Sequence, residues 1–124
     1  MSHIVVIETA VTDAAAIRAA CRRLKIDQPE EGTFKLFSGE AAGIAVRLRD
    51  WTYPVVCNLA TGELKYDNFS GSWGEQKELE RFIQAYAVEK SLLEARRRGH
   101  SVTEQPLRDG SIKLTIQVGN GGLA

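Results

Sequence analysis

The first apolar run, residues 3–8, reads His-Ile-Val-Val-Ile-Glu, a block of β-branched side chains with no polar alternate. Such a block predicts a strand buried on both faces, near the middle of a sheet. Ala14, Ile17, Ala20, Cys21 and Leu24 then recur at three- and four-residue spacing, which predicts a helix over residues 13–24. Thr12 stands where an N-cap oxygen is needed, and Asp13 puts negative charge on the first turn. Arg18, Arg22, Arg23 and Lys25 fall off the apolar stripe and read as its solvated side. Residues 27–32, with Pro29 and two glutamates, read as a connection. Two strand-like runs follow, 33–37 and 44–49, as a hairpin with a long loop over residues 38–43. A second pair, 55–59 and 63–66, flanks Ala60-Thr61-Gly62, where Gly62 supplies the positive φ that a tight turn requires.

Residues 67–74 are too rich in turn formers to continue a strand. Ser72 and Glu75 have the spacing of a capping box, and a helix over residues 73–98 is predicted, with Leu79, Phe82, Ile83, Tyr86, Ala87 and Leu93 as its buried face. Gly99 is placed to end it in the left-handed conformation. At 1.5 Å per residue that helix spans about 39 Å, against about 20 Å for a six-residue strand, so its arginine-rich end at Arg96, Arg97 and Arg98 should overhang the sheet. Residues 101–107 and 111–118 make a last hairpin around Asp109-Gly110. Ile112, Leu114, Ile116 and Val118 alternate with polar residues, so the last strand covers the core with one face only. The order β-α-β-β-β-β-α-β-β predicts an α+β fold: a two-layer sandwich with a mainly antiparallel sheet and both helices on one face. Residues 1–118 read as one domain and 119–124 as a flexible tail.

Composition narrows the chemistry. Sixteen Lys and Arg balance sixteen Asp and Glu over 124 residues, which removes a long-range pull toward nucleic acid or an anionic membrane. Arg18, Arg22, Arg23, Arg47, Arg49 and Arg96 to Arg98 are therefore read as surface charges and not, with Trp51 and Tyr53, as a nucleic-acid platform. No apolar run approaches the roughly 20 residues of a membrane span, and no signal-peptide pattern opens the chain, so the expectation is a cytoplasmic protein without membrane attachment. Cys21 and Cys57 are isolated and read as small buried hydrophobes.

Two histidines and two cysteines, scattered singly, do not compose a zinc site. Met1-Ser2-His3 would bind Cu(II) or Ni(II) with a free N-terminus, but removal of Met1 destroys the motif, so no metal and no cofactor is expected. His100 follows the helix-ending Gly99 and reads as part of the helix end and not as a base for a nucleophile. Ser70-Gly71-Ser72-Trp73-Gly74 resembles an anion-binding helix start, yet Glu75, Glu78 and Glu80 crowd the same end and repel phosphate. The carboxylate pairs Glu30-Glu31 and Glu78 with Glu80 lack an apolar setting that would separate their pKa values.

Several short segments carry a resemblance: the opening Met1-Ser2-His3-Ile4, the Tyr66-Asp67 pair, Trp73-Gly74, Gln84-Ala85-Tyr86-Ala87, and the close from Gly99-His100 through Glu104 and Asp109-Gly110 to Leu114. Together these resemble the hypothetical chloroplast reading frame thirty-five family, an uncharacterised family of cyanobacteria, algal plastids and other bacteria. The resemblance covers most of the chain, with residues 27–56 divergent. It implies a soluble intracellular protein and supplies no activity and no catalytic residue.

The shortage of catalytic side chains, and aromatics placed in turn-rich segments, favour a non-enzymatic protein-binding or adaptor module. Its candidate contact residues are Trp51, Tyr53, Phe69 and Trp73. Self-association through the helix over residues 73–98 is a second expectation. The alternative is a small-molecule sensor or small enzyme whose pocket joins Tyr66, Asp67 and His100 beside the 67–74 loop. A minor alternative is a ubiquitin-like modifier that uses Gly121-Gly122.

Overall fold

A computed structural model describes residues 4–119. Five strands, β1 (Val5–Glu8), β2 (Glu30–Leu36), β3 (Gly39–Val46), β4 (Val55–Asn58) and β5 (Glu63–Tyr66), form an antiparallel sheet in the order β1-β5-β4-β3-β2. Helices α1 (Ala14–Leu24) and α2 (Gln76–Arg97) pack on each other and on one face of it. The main core lies between these layers and joins Ile17, Ala20 and Cys21 of α1, Leu79, Phe82 and Tyr86 of α2, and Val46, Val55, Cys57, Leu64 and Tyr66 of the sheet. The α+β class and the order of elements agree with the sequence pattern.

Four local expectations are corrected. The strand over residues 3–8 is an edge strand and not a central one: among the described residues β1 pairs β5 alone, and Val6 faces outward between the half-buried Val5 and Ile7. An all-apolar run does not distinguish a strand covered on two faces from one covered on one. At α1 the N-cap is Asp13, whose Oδ1 accepts from the N–H groups of Ala15 and Ala16, while the N–H groups of Thr12 and Asp13 donate to the Tyr86 hydroxyl. The Ser72–Glu75 capping box does not form. Ser72 closes a 3₁₀ turn (Phe69–Gly71), and α2 begins at Gln76 with no side-chain cap from Glu75.

The fourth correction concerns the hairpin. Its strands are longer than expected and meet in a two-residue turn at Phe37 and Ser38, so all of the predicted loop over residues 38–43 except Ser38 belongs to β3. In the ladder Gly32 faces Gly43, with φ of 155° and 150°. A Cβ on Gly43 would overlap the Cys57 carbonyl, so only glycine lets β3 pass this close to β4. Register alone would carry residues 39–42 past Asn58, the end of β4, yet Gly39 packs on Ile4 and Phe37 on Trp73 at the opposite end of the sheet. The hairpin therefore arches back across the face that the helices leave open. Leu36, Ala41, Ala45 and Val56 form a second small core beneath it, flanked by Ile4, Phe34 and Tyr53.

The last two strands, β6 (Ser101–Pro106) and β7 (Ile112–Gln117), pair only with each other among the described residues and lie against α2. Helix α2 consequently buries two sides: Leu79, Phe82 and Tyr86 toward the main core, and Val88, Leu92 and Ala95 on the side that meets β6 and β7. Its end is a Schellman cap, with the Gly99 N–H donating to Arg96 and the His100 N–H to Ala95, and Gly99 at φ 74°. Arg96, Arg97 and Arg98 are exposed there. Met1-Ser2-His3, most of the predicted tail, and Gly121-Gly122 lie outside the described residues.

Candidate functional site

Trp73 gathers rings from three separate segments. Phe69 stacks on it at 4.8 Å between centroids and 24° between planes. Phe37, at the tip of the arched hairpin, meets it at 5.0 Å, and Tyr53, in the link before β4, meets it edge-on at 5.6 Å. Phe37 and Phe69 remain 57% and 37% exposed, so this is a surface cluster. Offset and edge-on pairs at such distances are favourable arrangements of aromatic quadrupoles.

The loop that presents Phe69 is built around two buried polar side chains, Asp67 and Asn68. Oδ1 of Asp67 accepts from the Phe69 N–H at 3.2 Å, while its buried Oδ2 has no partner among the described residues. The Asn68 side-chain amide donates to the Gly74 carbonyl and to Oε1 of Gln76, and the Asn68 backbone carbonyl accepts from the N–H groups of Gly71 and Trp73. Within this frame Phe69 and Ser70 both adopt left-handed φ, 48° and 52°. A non-glycine residue in that region costs about 1–3 kcal/mol, and a bulky aromatic seldom occupies it.

Trp51 belongs to the support and not to the cluster. Its ring packs edge-on against Tyr66 at 5.6 Å, and its indole N–H donates to the Glu75 carbonyl at 3.0 Å. Gly74 lies flat against the same ring, where a Cβ would collide with it. The Thr52 N–H donates to the Trp73 carbonyl at 2.8 Å, which ties the two tryptophan-bearing segments together. Of the four predicted contact residues, Tyr53, Phe69 and Trp73 thus converge and Trp51 stands behind them. Phe37 was not singled out from the sequence, because nothing local distinguishes a phenylalanine that ends a strand from one at a turn.

The alternative constellation divides. Tyr66 and Asp67 are adjacent near the start of α2, where the Gln76 amide donates to the Tyr66 hydroxyl at 3.5 Å. His100 lies past the other end of α2, whose 22 residues span about 33 Å at 1.5 Å per residue. There it lines a depression of about 260 Å³ with Lys90, Glu94, Arg98 and Ile116. A larger depression of about 480 Å³ opens between the β1–α1 connection and α2, lined by Val11, Thr12, Ile83, Tyr86, Ala87 and Lys90. Lys90 is held there by Asp13 at 2.8 Å and Glu94 at 3.2 Å. This partnership raises the lysine's pKa and lowers that of Asp13.

Among the described residues no group of three His, Cys, Asp or Glu side chains could hold a metal ion, and no helix is long and apolar enough to cross a membrane. Set against family models, curated proteins and solved structures, the chain matches none of them.

Proposed function

We propose that this chain is a non-enzymatic protein-binding module whose contact surface is the ring cluster of Phe37, Tyr53, Phe69 and Trp73. The observation that carries the reading is the left-handed backbone at Phe69 and Ser70, which holds a phenylalanine on the surface against Trp73. Core formation does not require this, since Phe69 is more than a third exposed. Backbone strain kept in place by a buried polar frame is characteristic of sites where presentation matters more than local stability. Large aromatics on rigid supports supply contact area at low entropic cost and dominate binding energies. The reading is of a cytoplasmic module, and membership of the plastid reading-frame family belongs to the same proposal without adding chemistry to it.

A photo-reactive phenylalanine analogue at position 37 of the full chain, expressed in its own host, tests this. A discrete protein adduct is expected at position 37, lost when Phe69 is replaced by Ala and not formed by the same probe at Val6. With the captured partner, Phe37→Ala and Phe69→Ala should each weaken binding tenfold or more, about 1.4 kcal/mol, with the fold intact. Equal adducts at positions 37 and 6, or unaltered binding by both alanine variants, would sink the proposal.

A second reading, a small-molecule sensor, draws support from the depression beside Tyr86, whose volume of about 480 Å³ falls within the range of ligand pockets. Its occupant would be an apolar molecule with an anionic end near Lys90. Native mass spectrometry of the purified chain, with and without Ala87→Trp to fill the depression, checks it. A bound mass that persists in the filled variant would refute it.

A further inference from the structure

Among the described residues, hairpin β6–β7 has one guarded edge and one open one. On β6, Glu104 receives two hydrogen bonds from the Arg23 guanidinium at 2.9 Å each, and Pro106 removes a backbone donor near the strand end. On β7 the run Ile-Lys-Leu-Thr-Ile-Gln carries one charge and no proline, the features that ordinarily blunt a free edge. The Leu107 N–H donates to the Ser111 carbonyl, so Lys113, Thr115 and Gln117 direct their backbone groups toward β6. Ile112, Leu114 and Ile116 direct theirs outward, and their side chains lie on the face turned to α2. Ile116 and the following Val118 are 49% and 71% exposed.

We infer that β7 pairs with β7 of a second copy of this chain, antiparallel about a two-fold axis at Thr115, joining the two hairpins into one four-stranded sheet. Three observations select this occupant and register. The outward-facing residues pair among themselves, Leu114 with Ile116 and Ile112 with Val118, so the exposed side chains cover one another. Lys113 falls opposite Gln117, whereas an axis at residue 113 would set lysine against lysine. Helix α2 contacts both strands of its own hairpin, so the two copies of α2 would lie two strand spacings apart, about 9.6 Å, within the 8–10 Å of packed helices.

The helix surfaces agree with that approach. The Gln84 amide donates to the Gly110 carbonyl, and Ile116 lines one depression with Ala95, Arg98 and His100, so Thr115 lies beside the last turns of α2. The open side of α2 there carries Ser91, Glu94 and Arg98. An antiparallel second helix brings Arg98 of each copy toward Glu94 of the other, and the small Ser91 leaves room. The interface is isologous, as a two-fold dimer requires.

The full chain should sediment at twice its mass at tens of micromolar, and Ile116→Lys should raise the dissociation constant at least tenfold without altering circular dichroism. Register is read by cross-linking with oxidised glutathione. Thr115→Cys places the two Cα atoms about 4.5 Å apart, within disulfide range, and should give a covalent dimer. Lys113→Cys leaves its two copies about 13 Å apart and should not. Cys21 and Cys57 are buried and do not interfere. A wild-type chain that stays monomeric at about 1 mM, or a Lys113→Cys variant that cross-links as readily as Thr115→Cys, would overturn the inference.

Discussion

Cys21 and Cys57 have no side-chain exposure, and burial pushes their thiols up to about 11 and about 12. Only the thiolate is a good nucleophile, so near pH 8 both should be inert to a thiol reagent in the native chain and react as two equivalents once it is unfolded. Fast labelling of either in the native state would mean that the core opens there. Gly74 poses the opposite problem, a residue defined by what it leaves out. Because Trp51 occupies the place of its missing side chain, Gly74→Ala should lower stability by about 1–3 kcal/mol, read from the urea midpoint. Trp51 and Trp73 look alike in the sequence, each beside a turn. Contacts made only in space, with Tyr66, Gly74 and the Glu75 carbonyl at 3.0 Å, make Trp51 a strut, while Trp73 belongs to the surface cluster.

At the level of elements, legibility followed local chemistry. Gly62 and Gly110 mark turns that the flanking alternation already implied, and both have the left-handed φ that those turns need. The β2–β3 hairpin was harder, since Gly-Glu-Ala-Ala-Gly reads as a loop by propensity and becomes strand only through pairing with β2 and, at its end, β4. Its arch is not encoded by periodicity at all but by two glycines that meet across the ladder. Gly43→Ala should therefore release the hairpin from the sheet, seen as faster amide exchange in residues 34–42 with the main core retained. The docking of β6–β7 has a pH signature. Arg23 bridges Glu89 and Glu104 at 2.9 Å each, and its hydrogen bonds hold the Glu104 carboxyl below its ordinary 4.5. A lowered folded pKa contributes stability above the ordinary value and loses it as pH falls. The protection factors of the β6 amides, taken relative to the intrinsic exchange rate at each pH, should thus fall below about pH 4.5, by an amount set by a partly solvent-exposed pair, about 1 kcal/mol or less. Glu104→Gln should remove that pH dependence; an unchanged profile would show that the ion pair does not hold the hairpin.

For the whole molecule, α2 is the shared wall of two packed regions, and the arched hairpin closes a third beneath the sheet. If two copies join through β7, unfolding becomes linked to association, and the melting temperature should rise with chain concentration in the wild type but not in Ile116→Lys. Three members of the ring cluster, Tyr53, Phe69 and Trp73, are legible in the sequence, but their convergence with Phe37 and the open edge are not, because both are defined by what lies beside them after folding. The opposed settings of the two tryptophans also give this chain a pair of built-in optical reporters. With Trp51→Phe, the remaining indole emits from the ring cluster and should respond to a ligand there, while Trp73→Phe leaves an emitter that follows the integrity of the fold. Occupancy and folding can thus be followed separately by the intrinsic fluorescence of two single-tryptophan variants, with no attached dye.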